Sequence, residues 1–88
     1  MKIKEGFVLM KLGEGFVAVA TGEACREFNG VLRLNQTGGF LWQRIAAGDD
    51  TRAKLLAAML EAWPDLEEAA AGADLDEFLD AVSLAVER

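Results

Sequence analysis

Asn29-Gly30-Val31-Leu32-Arg33-Leu34-Asn35-Gln36-Thr37-Gly38-Gly39-Phe40-Leu41-Trp42 reads as a short strand that runs directly into a helix. Val31, Leu32 and Leu34 suit a pleated, half-buried surface. Asn35 is placed to cap the following helix with its side-chain oxygen. Gly38 and Gly39 then fall in the first helical turn, where each Gly costs about 0.5–1 kcal/mol relative to Ala. A pair at that position implies a close approach to the backbone, most simply a helix packed tightly on a sheet. Arg33 interrupts the apolar strand and should point away from Leu32 and Leu34. It either snorkels into water or flanks a binding groove.

Upstream of this stretch, Phe7–Leu12 and Phe16–Ala20 are apolar runs around Gly13-Glu14-Gly15, a pattern that predicts a β-hairpin. Thr21–Phe28 has no clear period and reads as a connection or irregular turn, and Asn29-Gly30 is a turn dipeptide. Downstream, three helical patterns follow. The first spans Gln36–Ala47, with Phe40, Leu41, Ile45 and, at the margin, Trp42 inward, and stops at Gly48. The second begins near Thr51 behind Asp49 or Asp50, carries the stripe Leu56, Met59, Leu60, Trp63 widened by Leu55, and ends before Pro64. The third is expected from Asp74, which with Glu77 resembles a capping box. Its stripe is Leu75, Phe78, Leu79 and Val82, extended by Ala85 and Val86. The Ala- and Gly-rich segment Glu67–Ala73 carries the weakest pattern. The order strand, strand, strand, helix, helix, helix predicts an α+β fold. It is a three-stranded antiparallel sheet followed by three helices, winged-helix-like, in a single domain over residues 1–88.

Composition limits the function. Eighty-eight residues, 52% of them hydrophobic, support one small core. No apolar run approaches the ~20 residues of a membrane span, and Met1-Lys2-Ile3-Lys4 does not open a signal peptide. One cysteine excludes an internal disulfide and fits a cytoplasmic setting. Residues 1–45 carry six Lys/Arg and four acids, a net +2; residues 46–88 carry three and eleven, a net −8. Such a molecule repels a polyanion, so nucleic acid is a poor partner.

Catalytic groups are scarce. His and Tyr are absent, so acid–base chemistry would fall on a carboxylate or lysine. Glu67-Glu68 and Asp74-Asp76-Glu77 read instead as first-turn and capping acids. Cys25 has no His to activate it, and reads as a small semi-buried residue. A zinc site of the usual kind is out of reach, and Gly38-Gly39 lacks P-loop or Rossmann spacing. No catalytic residue, metal ligand or cofactor is expected.

Gly6-Phe7-Val8-Leu9, the stretch Phe28–Trp42, the Leu55–Trp63 helix and the Asp76–Val82 helix together resemble the PqqD family, named for pyrroloquinoline quinone synthesis protein D. The pattern LN-x-TG-x-x-LW is matched by Leu34, Asn35, Thr37, Gly38, Leu41 and Trp42. The resemblance covers nearly the whole chain. It implies three strands followed by three helices, and a non-catalytic recognition element for ribosomally made, post-translationally modified peptides. Such a domain holds the leader segment of a precursor peptide and presents it to a modifying enzyme, often a radical S-adenosylmethionine protein. The leader adds as a strand to the third strand, here Val31, Leu32, Arg33 and Leu34. It lies in a groove against the last helix, here at Phe78, Ala81, Val82 and Ala85. Leu84 falls opposite Leu75 on that helix and has no core role. Three alternatives stay open: a structural or regulatory subunit that binds a protein, a winged-helix DNA binder, and a homodimer through the third strand.

Overall fold

The computed structural model describes residues 1–22, 24–27 and 30–87. In chain order the elements are β1 (Lys2–Ile3), β2 (Phe7–Leu12), β3 (Gly15–Ala20), α1 (Ala24–Glu27), β4 (Val31–Leu34), α2 (Gln36–Ala47), α3 (Arg52–Ala62), α4 (Glu68–Ala81) and β5 (Val86–Glu87). Strands β2, β3 and β4 form an antiparallel sheet in that order. The three long helices follow it, so the expected α+β, winged-helix-like architecture is the observed one. Strand β4, the third strand of the sequence reading, lies at a sheet edge.

Register separates the two faces of the sheet. Phe16 stands opposite Leu34, Ala18 opposite Leu32, and Leu9 opposite Ala18. These residues belong to the core or pack against it. The alternate set, Val8, Met10, Leu12, Val31 and Arg33, is exposed on the other face. Period-two alternation therefore sends one row under the helices and leaves the edge-strand residues of the other in solvent, while Val17 and Val19 of the central strand are buried and half-buried. Arg33 points away from Leu32 and Leu34, as the alternation requires.

Helix α2 forms as its sequence dictates. The Asn35 side chain accepts a hydrogen bond from the Gly38 amide at 2.7 Å. Gly48 closes the helix at φ +117°, and its N–H turns back to the Ile45 carbonyl at 3.1 Å. Gly39 packs against Phe16 so closely that a Cβ there would overlap the ring. The glycine pair thus seats the helix on the sheet. Trp42 is buried, edge-on to Phe7 with ring centroids 6.0 Å apart. Below it lies the interior of the domain, centred on Leu41, Leu55, Met59, Leu75 and Val82. Each such side chain contributes about 1.5–3 kcal/mol by leaving water.

Several local expectations need correction. Helix α3 is capped by Thr51 itself, whose hydroxyl accepts from the Lys54 amide at 3.2 Å, and not by Asp49 or Asp50. Asp50 instead pairs with Lys54 at 3.0 Å. That hydrogen bond and the ammonium charge hold its carboxyl below the usual value of 3.8. Leu55 and Met59 are the buried centre of the α3 stripe, whereas Leu56, Leu60 and Trp63 lie at its margin. Helix α4 starts six residues before Asp74, because Ala-rich sequence is the best helix former available. Ala71 and Gly72 are buried there, and Asp74 and Glu77 sit mid-helix rather than at a cap.

The helix also ends earlier than the apolar stripe implies. Residues 82–85 turn, and β5 then pairs with β1, Ile3 opposite Val86. The connection before β4 contains the short helix α1. Cys25 within it is exposed rather than semi-buried, with its thiol donating to the Ala20 carbonyl at 3.0 Å. A helix of four residues is little more than one turn and does not carry Cys25 into the core. The turn expected at Asn29-Gly30 falls partly outside the described residues; Gly30 itself has φ +143°.

Candidate functional site

A groove of about 200 Å³ runs between the end of β4 and helix α4. Arg33 and Leu34 form its strand side, and Asn35, Thr37 and Gly38 close it at the first turn of α2. The facing wall is one stripe of α4, Asp74, Glu77, Phe78 and Ala81. Those four positions follow the i, i+3, i+4, i+7 rule for one helical face. Leu34 and Phe78 are almost fully buried, so the floor is apolar, while Arg33, Asp74, Glu77 and Ala81 are exposed at its rims.

The structure brings together four of the eight expected peptide-contact residues: Arg33, Leu34, Phe78 and Ala81. Val31 lies on the exposed face of the sheet, and Leu32 packs toward the core. Val82 and Ala85 do not line the groove. Both are fully buried, because the chain leaves the helix after Ala81 and folds them into the interior. Leu84, in the same turn, is 60% exposed.

Sequence reasoning did not single out Asn35, Thr37, Gly38, Asp74 or Glu77 as groove residues. The signal for Asp74 and Glu77 was present. Counting back one helical turn from Phe78 and Ala81 reaches both, provided the helix is allowed to start before them.

The groove's charges are arranged by what each acid does elsewhere. Asp76, on the adjacent face of α4, is taken up by Arg52 of α3 at 2.8 and 3.0 Å. Asp74 and Glu77 form no ion pair among the described residues, and neither does Arg33. The helix wall therefore carries two free carboxylates, and the cation of the strand side, Arg33, is turned to the outer face of the sheet. Among the described residues no group of three His, Cys, Asp or Glu side chains is placed to hold a metal. No polar or charged side chain there is buried. No helix among them is long and apolar enough to cross a membrane.

Fold and groove define a class: a small winged-helix-like α+β domain with an open edge strand beside a helix-walled cleft. Residues 6–83 match the family described as Coenzyme PQQ synthesis protein D (PqqD), and the chain belongs to that family. No curated protein matches the chain in sequence. The solved structure of TbiB1 in complex with the TbiA(beta) leader peptide is similar to it, with a TM-score of 0.72 at 18% identity. That similarity covers 94% of this chain and 88% of the other. At this level of identity the likeness is one of fold.

Proposed function

We propose that this protein is a non-catalytic recognition element. It binds the leader segment of a ribosomally synthesised precursor peptide by strand addition to Val31–Leu34 and presents it to a modifying enzyme of the radical S-adenosylmethionine type in the cytoplasm. One observation carries the reading: β4 is an edge strand that ends beside an apolar-floored groove walled by α4. An added strand gains main-chain hydrogen bonds from such an edge, and the neighbouring pocket selects its side chains. Membership of the PqqD family and a fold shared with a protein solved with a leader peptide support the same use. The task needs no catalytic group.

NMR titration with the leader of a candidate precursor tests the proposal. The amides of residues 31–34 and of the α4 stripe 74–81 should shift together and saturate. Saturable binding that leaves these amides unmoved would overturn it.

A second reading, a subunit that docks on a protein partner, is favoured by the outer face of the sheet. Of the five exposed large hydrophobics among the described residues, Val8, Met10, Leu12 and Val31 all lie there. Clustered exposure of this kind marks interaction surfaces. Loss of enzyme association in a Met10→Glu variant that still binds leader would separate the two surfaces.

A further inference from the structure

We infer that the leader segment accepted by this groove carries a basic side chain two residues away from an apolar one. The inference rests on the strand-addition reading and adds the chemistry of the bound segment. Its first support is the polarity of the α4 wall. Asp74 and Glu77 form one end of that wall, and Phe78 and Ala81 form the next turn. Each acid stands four residues before its apolar neighbour, a separation of about 6 Å along the helix axis at 1.5 Å per residue.

An extended peptide turns every second side chain to the same side, about 6.6 Å apart. The two spacings match. A strand lying along α4 therefore sets one side chain against Asp74 and Glu77 and the next one on that side over Leu34, Phe78 and Ala81. The first position favours Lys or Arg, and the second an apolar residue.

The carboxylates are available for this contact. Asp76 is committed to Arg52, at 2.8 Å, on a different face of the helix. Asp74 and Glu77 form no ion pair among the described residues. The intervening peptide residue points to the outer face of the sheet, the face on which β4 presents Arg33. Like charges on adjacent strands repel, so that position disfavours Lys and Arg. The accepted pattern is basic–x–apolar, in the direction set by strand polarity, with x not basic. The acids of this helix thus do more than solvate its surface: two of them discriminate between peptides.

The test is a display selection of random 12-residue peptides against the 88-residue chain, run in parallel on Asp74→Lys/Glu77→Lys and on the shape-preserving Asp74→Asn/Glu77→Gln. Circular dichroism checks that each variant is folded, and the second variant serves if the first is not. Peptides selected by the wild type should share the basic–x–apolar spacing. Replacing their basic residue by Glu should weaken binding on the order of 5-fold or more, and added salt should shrink that difference. The Asn/Gln variant should lose the preference, and the Lys/Lys variant should reverse it.

Selected peptides that shift the 31–34 amides yet show no charge preference, or keep it in the variants, overturn the inference and leave strand addition standing. A selection that yields no peptide acting on those amides overturns both.

Discussion

Helices α2 and α4 lie beside the same small sheet, and they meet it in opposite ways. Helix α2 is pressed onto it: Gly39 lies against the Phe16 ring with no room for a Cβ, and a Cβ on Gly38 would come within 3.2 Å of the Leu34 side chain. Helix α4 buries Leu75, Phe78 and Leu79 in the core but leaves a groove of about 200 Å³ between itself and the end of β4. In a chain this short one helix closes the core, while the other both closes it and walls a cleft. The difference lies in which residue types face the sheet. Two glycines bring a backbone to contact distance, whereas the carboxylates and Ala81 of α4 do not fill the space before them. Substitutions that add atoms should therefore be costly on one helix and tolerated on the other.

The sharpest way to break the contrast is Gly39→Ala. The new methyl overlaps Phe16, and overpacking of this kind costs about 1–3 kcal/mol. For a domain of this size each kcal/mol lowers the melting temperature by about 4–8 °C, which thermal denaturation followed by circular dichroism will register. Phe16→Ala removes the obstructing ring. The double variant should lose less stability than the two single losses added together, and strict additivity would show that the ring is not the obstacle.

Asn35→Ala comes next. It removes the side-chain bond to the Gly38 amide, and loss of such a cap costs about 1 kcal/mol. Denaturant titration measures this, and Asn35→Ser should recover most of it because Ser caps comparably. A slightly smaller effect of opposite sign is expected for Gly72→Ala in α4. There a Cβ would meet only the tip of the Arg52 guanidinium, at 3.2 Å. That flexible side chain can shift, so the helix should gain about 0.5–1 kcal/mol from the lost glycine. A loss of stability instead would mean that the Arg52 bridge to Asp76 and the Gly72 carbonyl is too rigid to yield.

What the sequence could reveal follows the same division. The α2 junction was legible because its determinants are local. Asn35 caps an amide three residues on, Gly48 ends the same helix, and the glycine pair has few uses other than close packing. Strands β1 and β5 were not legible. Each has two residues, and each is defined by a partner at the other end of the chain, Lys2 opposite Glu87. The first half of α4 was hidden because its Ala and Gly residues show little contrast between faces, although Ala71 and Gly72 are buried. The groove was half legible. Arg33, Leu34, Phe78 and Ala81 follow from strand edge and helix stripe. The positions of Val82 and Ala85 depend on where α4 stops, and the apolar stripe that runs on to Val86 conceals that stop. Asp74 and Glu77 were misplaced for the converse reason, since an acidic pair three residues apart imitates a cap.

The smallest effect on stability sharpens the comparison most. Ala81 is exposed on the open side of α4 and lines the groove. Ala81→Gln adds four heavy atoms, as a good helix former, on the side of α4 that faces the groove. A surface change of this kind should alter stability by no more than about 0.5 kcal/mol. Yet those atoms occupy the space where the proposed leader strand sets its apolar side chain, so leader affinity should fall while the melting curve stays in place. A calorimetric titration beside a thermal melt reads both. If stability falls instead, α4 is seated as tightly as α2 and the contrast fails. If both stay unchanged, the strand lies elsewhere on β4 and this end of the groove plays no part in holding it.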